Sequence, residues 1–253
     1  MTSYKDIEKK IYKGLQDTCV DAINFNGSFN AEVKPEYLIT MNIAKAINEL
    51  NFYPGSPFII RPEEQTKVFA TRCVPDILWE DIIAPTIFRT AHNTDRNGRF
   101  DIAVYEGNTE KPLTAIEVKL INPTEDYIKD DIKRLSELLH LKDTQTGVSK
   151  IKHTYFTCIE LNEEIKFETE TPENIKVIKA KYTCWVQNIL TELGKENEFF
   201  SDTKFEIAAL SIDKSLLLTS EKRTSDDIFD GDLYSQAKHF VGVIVRLTKK
   251  SSS

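Results

Sequence analysis

The sequence predicts a mixed α/β protein, with an α+β-like mixed sheet flanked by helices, in one domain. Two observations support this fold class. Segments with amphipathic helical periodicity alternate along the chain with short apolar runs that are typical of strands. Hydrophobic residues make up 40% of the 253 residues, which suffices for a sizeable core in a single domain spanning residues 1–253.

Two helices are predicted at the start of the chain. Apolar residues recur at helical spacing from Ile7 to Ile23, and this first helix should end near Asn26. The second helix should begin at Pro35, because proline suits the first helical position, and continue to Leu50. The turn-forming residues 53–55 should end it.

The middle of the chain should contain short strands and one hairpin. Residues 58–61 and 67–73 have the pattern of short extended pieces, residues 76–83 that of a short helix and residues 86–90 that of another extended piece. Two apolar runs, at 100–105 and 113–120, flank a turn at 106–108. Together they predict a β-hairpin.

The second half should continue with a helix, a strand, a longer helix and two strands. An amphipathic helix follows from Asp126, residues 154–161 form a buried strand, and Gly194 should cap a helix with apolar residues from Ile175 to Leu193. Residues 205–212 and 239–247 should be strands. The second of these is nearly continuous in apolar residues, as a central strand would be.

Charge and cysteine content limit the function classes. With 33 basic and 40 acidic residues the net charge is −7, which argues against a general nucleic-acid coat but leaves room for a local basic groove. No apolar stretch approaches the roughly 20 residues of a membrane span, and the start of the chain lacks a signal-like apolar region, so we expect a cytoplasmic protein. The cysteines lack metal-ligand spacing and should be reduced core residues: Cys19, Cys73, Cys158 and Cys184.

Three charged residues of the hairpin form the candidate site. Asp101 begins one strand, and Glu117 and Lys119 lie near the end of the next, so antiparallel pairing should bring them together. Glu117 and Lys119 are two residues apart and should share one face of the sheet, while Val118 should point to the other. Two carboxylates can hold a hard cation such as Mg²⁺, and a lysine beside them can assist hydrolysis of a phosphodiester.

The Glu-x-Lys spacing alone also has two non-catalytic explanations. It recurs at residues 8–10, 32–34 and 164–166, so only its place in an apolar strand next to Asp101 gives it weight. One alternative is an exposed ion pair of Glu117 and Lys119, worth at most about 1 kcal/mol. The other is simple alternation between buried and exposed positions along one strand.

Three motifs together resemble the PD-(D/E)XK nuclease superfamily, which has the restriction-endonuclease-like fold. The motifs are the segments at 98–102 (Gly-Arg-Phe-Asp-Ile), 115–120 (Ala-Ile-Glu-Val-Lys-Leu) and 131–135 (Asp-Ile-Lys-Arg-Leu). The resemblance covers residues 35–161 and implies a restriction-endonuclease-like core, with N-terminal and C-terminal helical and strand additions at 1–34 and 162–253. Phe100 stands where the name-giving pattern has proline.

The resemblance implies a role for each site residue. Asp101 and Glu117 would bind Mg²⁺ or Mn²⁺, the carbonyl of Val118 would complete the coordination, and Lys119 would assist the hydrolytic water. Glu36 is the candidate for the further acid that family members often carry on the first core helix. An acid in the first helical turn also stabilises the helix dipole whatever the function, so both readings of Glu36 stay open.

The implied function is a Mg²⁺-dependent deoxyribonuclease of restriction or defence type. The expected partner is DNA, reached as a homodimer or with a guiding protein. Arg96 and Arg99 belong to a basic cluster before the hairpin that could face DNA, and Lys133 or Arg134 on the following helix could reach a phosphate. The alternative is a non-catalytic nucleic-acid-binding or regulatory module on the same scaffold.

Overall fold

A six-stranded mixed sheet forms the centre of the computed structural model, which describes residues 4–26, 35–52, 58–73, 98–107, 109–141, 149–162, 167–212 and 239–250. The strands are β1 (Phe58–Gln65), β2 (Arg99–Glu106), β3 (Lys111–Ile121), β4 (His153–Asn162), β5 (Thr203–Ser211) and β6 (His239–Lys249). Their order across the sheet is β1-β2-β3-β4-β6-β5.

The first three strands form an antiparallel meander, and β4 then pairs with β3 in parallel. A parallel pair needs a crossover connection, and here a helix lies between β3 and β4 in the chain. Strand β6 is antiparallel to both β4 and β5, so it lies inside the sheet. Its buried, nearly continuous apolar sequence follows from that place, and the prediction of a central strand is confirmed.

Five helices accompany the sheet within the described ranges: α1 (Tyr4–Asn26), α2 (Pro35–Asn48), α3 (Thr66–Cys73), α4 (Glu125–His140) and α5 (Phe167–Glu196). Short 3₁₀ turns follow α2 at Glu49–Phe52 and α5 at Glu198–Asp202. None of these five helices is both long and apolar enough to cross a bilayer.

Two apolar cores lie on opposite faces of the sheet. On one face, Ile11 of α1 and Ile43 of α2 pack with Ile116 of β3. On the other face, Leu135 of α4 and Val186 of α5 belong to the core that includes the alternate strand residues. The alternation of side chains along β2 and β3 thus supplies both layers, and the predicted mixed α/β class is confirmed.

Three sequence predictions are wrong. Residues 67–73 form a helix and not an extended piece, because Phe69 packs edge to face against Phe100 and Tyr105 of β2, and this tertiary contact outweighs the local pattern. Gly194 does not cap α5, which continues to Glu196. Cys184 is exposed, whereas the other three cysteines are buried as predicted.

The remaining predicted elements occur in the expected order, and their ends shift by a few residues, except that α5 begins at Phe167, eight residues before the predicted Ile175. The helix at 76–83 and the extended piece at 86–90 lie outside the described residues.

Candidate active site

The hairpin of β2 and β3 brings the two predicted carboxylates together. Ile102 pairs with Ile116, so Asp101 and Glu117 are the next opposed positions in this antiparallel register. The backbone N–H of Val118 donates a hydrogen bond of 2.6 Å to Oδ2 of Asp101, which fixes that carboxylate against β3. Both acids are buried, and Glu117 is 0% exposed.

Lys119, two residues after Glu117 in β3, approaches carboxylates on two helices. Its Nζ lies 2.9 Å from Oδ2 of Asp131 on α4 and 3.9 Å from Oε1 of Glu36 in the first turn of α2. Val118 packs in the core on the α1 and α2 side of the sheet. Glu117 and Lys119 thus lie on the α4 face and Val118 on the opposite one, as predicted. The 3.9 Å approach of Glu36 to Lys119 places Glu36 at the same end of the sheet.

Helix α4 adds two buried residues whose roles the sequence reasoning missed. Arg134 lies with Nη2 2.9 Å from Oε1 of Glu117, and the same nitrogen donates a hydrogen bond to Oδ1 of Asp131. Asp131 and Arg134 are one turn apart and share a face of the helix. Their position beside the apolar stripe of α4 is a signal in the sequence, but their partners depend on how α4 packs against β3.

Burial dominates the electrostatics of the site. It raises the pKa of Glu117 well above its ordinary value, with the nearby Arg134 opposing the shift and the carboxylates of Asp131 and Asp101 adding to it. Burial also raises the pKa of Asp131, against the opposing effect of Lys119 and Arg134. For Arg134, burial alone would lower the pKa, but Glu117 and Asp131 outweigh it and the pKa is raised.

The residues fit a hard divalent cation in two respects. Four carboxylates, those of Asp101, Glu117, Asp131 and Glu36, surround two cationic side chains, so a divalent ion would balance the ionised cluster. Neither oxygen of the buried Glu117 carboxylate accepts a hydrogen bond, although Arg134 is near enough to act as its charge partner. A buried carboxylate without donors is costly unless a cation or a proton joins it.

The ligand set is incomplete in protein side chains. Within the described ranges, no three side chains of His, Cys, Asp or Glu converge as a ready metal-binding group. Asp101 and Glu117 would thus provide two carboxylates, and a backbone oxygen such as that of Val118 and waters would fill the other positions, as Mg²⁺ commonly accepts.

Glu63 is a further acid that the sequence analysis did not identify. Pro62 pairs with Ile102 and Glu64 with Phe100, so Glu63 falls opposite Asp101 on β1. Its φ of 55° interrupts the regular strand at this point. Burial raises the pKa of Glu63, and the charge of Asp101 raises it further. No sequence signal gives the register of β1 and β2, so Glu63 could be found only from the folded structure.

The two predicted DNA-facing residues within the described ranges, Arg99 and Lys133, do not lie together. Arg99 donates a hydrogen bond of 3.4 Å to the backbone carbonyl of Glu63, close to the carboxylate pair. Lys133 instead pairs with Glu196 of α5, with Nζ 3.3 Å from the carboxylate. Arg96 lies outside the described residues.

Ser211, His239 and Asn174 are arranged like a nucleophile triad, but the hydrogen bonds of the histidine run in the opposite direction. Ser211 Oγ lies 2.9 Å from Nε2 of His239, and the side-chain nitrogen of Asn174 lies 2.8 Å from its Nδ1. Asn162 donates to the oxygen of the Asn174 amide, which leaves the Asn174 amino group as donor to Nδ1. In this orientation of the Asn174 amide, Nε2 carries the proton and faces Ser211, so His239 is not placed to accept the serine proton. Burial lowers the pKa of His239, and the neutral ring acts as a structural link.

Comparison with known proteins gave no match, whether to family models, to curated proteins or to solved structures. Functional inference for this chain therefore rests on its own residues and geometry.

Proposed function

We propose that this chain is a metal-dependent endonuclease that hydrolyses phosphodiester bonds in DNA, on a restriction-endonuclease-like core at residues 35–161. The single observation that carries the proposal is the buried carboxylate pair of Asp101 and Glu117 with Lys119 beside it at one end of the sheet. The element order supports it, because α2, the antiparallel β1–β2–β3 meander, α4 and the parallel strand β4 follow one another as in the superfamily named above.

Each site residue would have a distinct role. Asp101 and Glu117 would hold Mg²⁺ or Mn²⁺, which when bound supplies Lewis-acid polarisation of the phosphate and activation of the attacking water. The backbone N–H of Val118 orients the Asp101 carboxylate toward Glu117. Lys119 would donate a hydrogen bond to the water or to a non-bridging phosphate oxygen, because its ammonium group is the partly exposed cation between the carboxylate pair and the surface.

Asp131 and Arg134 would act as positioning residues. Asp131 holds the Lys119 ammonium at 2.9 Å and so restricts a flexible side chain to one direction. Arg134 provides the charge that keeps Glu117 and Asp131 compatible with burial. Glu36 lies farther from Lys119 and would tune its charge from the α2 side.

One observation favours the alternative of a non-catalytic binding or regulatory module. Arg134 already balances the charge of Glu117, as a purely structural buried ion pair would. The net charge of −7 also disfavours unaided approach to DNA, so in either case we propose a guiding protein or a second copy of the chain.

The decisive experiment incubates the purified protein with supercoiled plasmid, linear duplex, single-stranded DNA and RNA, each with Mg²⁺, Mn²⁺ or EDTA. We expect metal-dependent cleavage that falls by about 100-fold or more in Lys119→Ala. The matched control is Lys129→Ala on α4, because this lysine pairs with Glu192 at the surface and should be dispensable.

A binding measurement distinguishes the two functions. Titration calorimetry with Mn²⁺ should give one site that is lost in Asp101→Asn and in Glu117→Gln. Absence of both cleavage and Mn²⁺ binding would reject the nuclease and favour the regulatory module.

A further inference from the structure

Two exposed tyrosines border the end of the sheet where Lys119 lies. Tyr127 is in the first turn of α4 and is 71% exposed, and Tyr37 is in the first turn of α2 and is 61% exposed. Leu120, next to Lys119 in β3, and Met41, one turn after Tyr37, are also exposed. Single exposed apolar side chains are common on protein surfaces, but a contiguous exposed patch rimmed by polar residues can mark a binding surface.

The helix geometry links Tyr127 to the candidate site. Tyr127, Asp131 and Arg134 follow one another at intervals of four and three residues, so they form one stripe along α4. Asp131 contacts Lys119 and Arg134 contacts Glu117. Tyr127 therefore lies one turn, about 6 Å along the helix axis, from the residue that holds Lys119.

Tyr37 borders the same end from the other layer. It follows Glu36, whose carboxylate lies 3.9 Å from the Lys119 ammonium. Glu36 in the first turn of α2 and Asp131 in the second turn of α4 thus approach Lys119 from opposite faces of the sheet. The first turn of each helix carries an exposed tyrosine.

Three lysines of β3 and α4 are already paired with carboxylates. Lys119 is paired with Asp131, Lys129 with Glu192 and Lys133 with Glu196. Affinity for duplex DNA comes mainly from cations that contact phosphates. Single-strand binders combine such cations with aromatic rings on which bases stack, and this stacking requires bases that are unpaired.

We infer that this end of the sheet, around Lys119, binds the unpaired bases of single-stranded nucleic acid, with Tyr127 and Tyr37 as the stacking surfaces. The inference rests on the proposed function, since it names the substrate class of the same site. Bases held by the two tyrosines would place the connecting phosphates near Lys119 and the carboxylate pair.

The test measures binding separately from cleavage. Fluorescence anisotropy would follow end-labelled single strands of DNA and of RNA, about 12 nucleotides long, and a hairpin duplex of the same composition, in EDTA and in Ca²⁺. The DNA and RNA arms distinguish the two sources of unpaired bases. Comparison of the full-length protein with Tyr127→Ala, Tyr37→Ala and Tyr127→Phe shows whether an aromatic ring is needed.

We expect single strands to bind more tightly than the hairpin, with each alanine variant raising Kd at least about fivefold. Tyr127→Phe should retain affinity within about twofold, because the ring and not the hydroxyl stacks on a base. The matched control is Val177→Ala, which removes an exposed apolar side chain on α5 (58% exposed) and should change nothing. Because all of these side chains are exposed, the midpoint of thermal unfolding should stay unchanged.

The outcomes separate this inference from the proposed function. Tighter binding of the hairpin, or alanine variants with unchanged Kd, would overturn the inference even if the protein cleaves duplex DNA. Tyrosine-dependent binding of single strands without any metal-dependent cleavage would uphold the inference and reject the nuclease.

Discussion

Replacement of Arg134 by methionine tests the site most directly. The change removes the cation that lies 2.9 Å from Glu117 and is bonded to Asp131, while methionine keeps an unbranched stem of similar bulk. Removal of one partner from a buried ion pair typically costs about 3–5 kcal/mol. Asp131 keeps Lys119 as a charge partner at 2.9 Å, so only Glu117 is left without one. We therefore expect the free energy of unfolding to fall by about 3 kcal/mol at pH 8 in EDTA, near the lower limit of that range.

Two features of the expected loss follow from the charge on Glu117. Its pKa is already raised by burial, and loss of Arg134 should raise it further, so protonation should reduce the penalty as the pH falls toward 5. Mn²⁺ should replace the missing charge and stabilise the variant more than the parent protein. Binding at 100 times the Kd would contribute about 2.7 kcal/mol.

Urea unfolding followed by tryptophan fluorescence and circular dichroism gives these free energies. Lys129→Met is the matched control, because its surface pair with Glu192 should contribute less than about 1 kcal/mol. If the free energy of unfolding of Arg134→Met falls by less than about 1 kcal/mol, the buried ion pair of Arg134 and Glu117 is refuted. Equal effects of Mn²⁺ on the variant and the parent would refute the view that a metal ion and Arg134 serve the same carboxylate.

Three other measurements follow from the structure. In EDTA, the free energy of unfolding should fall as the pH rises from about 4.5, because the folded state holds the proton of Glu117 more tightly than the unfolded chain does. In urea unfolding, Glu117→Gln should reduce this dependence of the free energy on pH. Gly14→Ala should lower the stability measured by thermal unfolding by about 1–3 kcal/mol, since the added Cβ would lie 2.5 Å from the backbone Cα of Ile43. Gly242→Ala should cost less, because its Cβ meets a leucine methyl that can move. Equal losses in the two variants would contradict this. A thiol reagent should modify Cys184 rapidly and the other three cysteines only after unfolding, and rapid reaction of more than one thiol would show that the folded core is open.

The local elements were largely predictable, and so was part of the site. Periodicity located the hairpin, α4 and α5, and period-2 alternation placed Glu117 and Lys119 on one face, which the structure reproduces. The prediction failed at residues 67–73, where packing of Phe69 on β2 selects a helix, and at Gly194, where α5 continues for two more residues. At Gly194 an added Cβ would lie 2.7 Å from Oγ of Ser201, so close packing and not helix termination explains the glycine.

The sequence by itself determined the composition of the hairpin and the faces of its side chains, because strand alternation is a property of the local backbone. Only the tertiary structure decided the partners of those side chains. The register of β1 against β2 sets Glu63 opposite Asp101, and the packing of α4 on β3 brings Arg134 to Glu117 and Asp131 to Lys119. These partners lie far apart in the chain, and burial, which is the main cause of the raised pKa of Glu117, arises only when the layers close over the sheet.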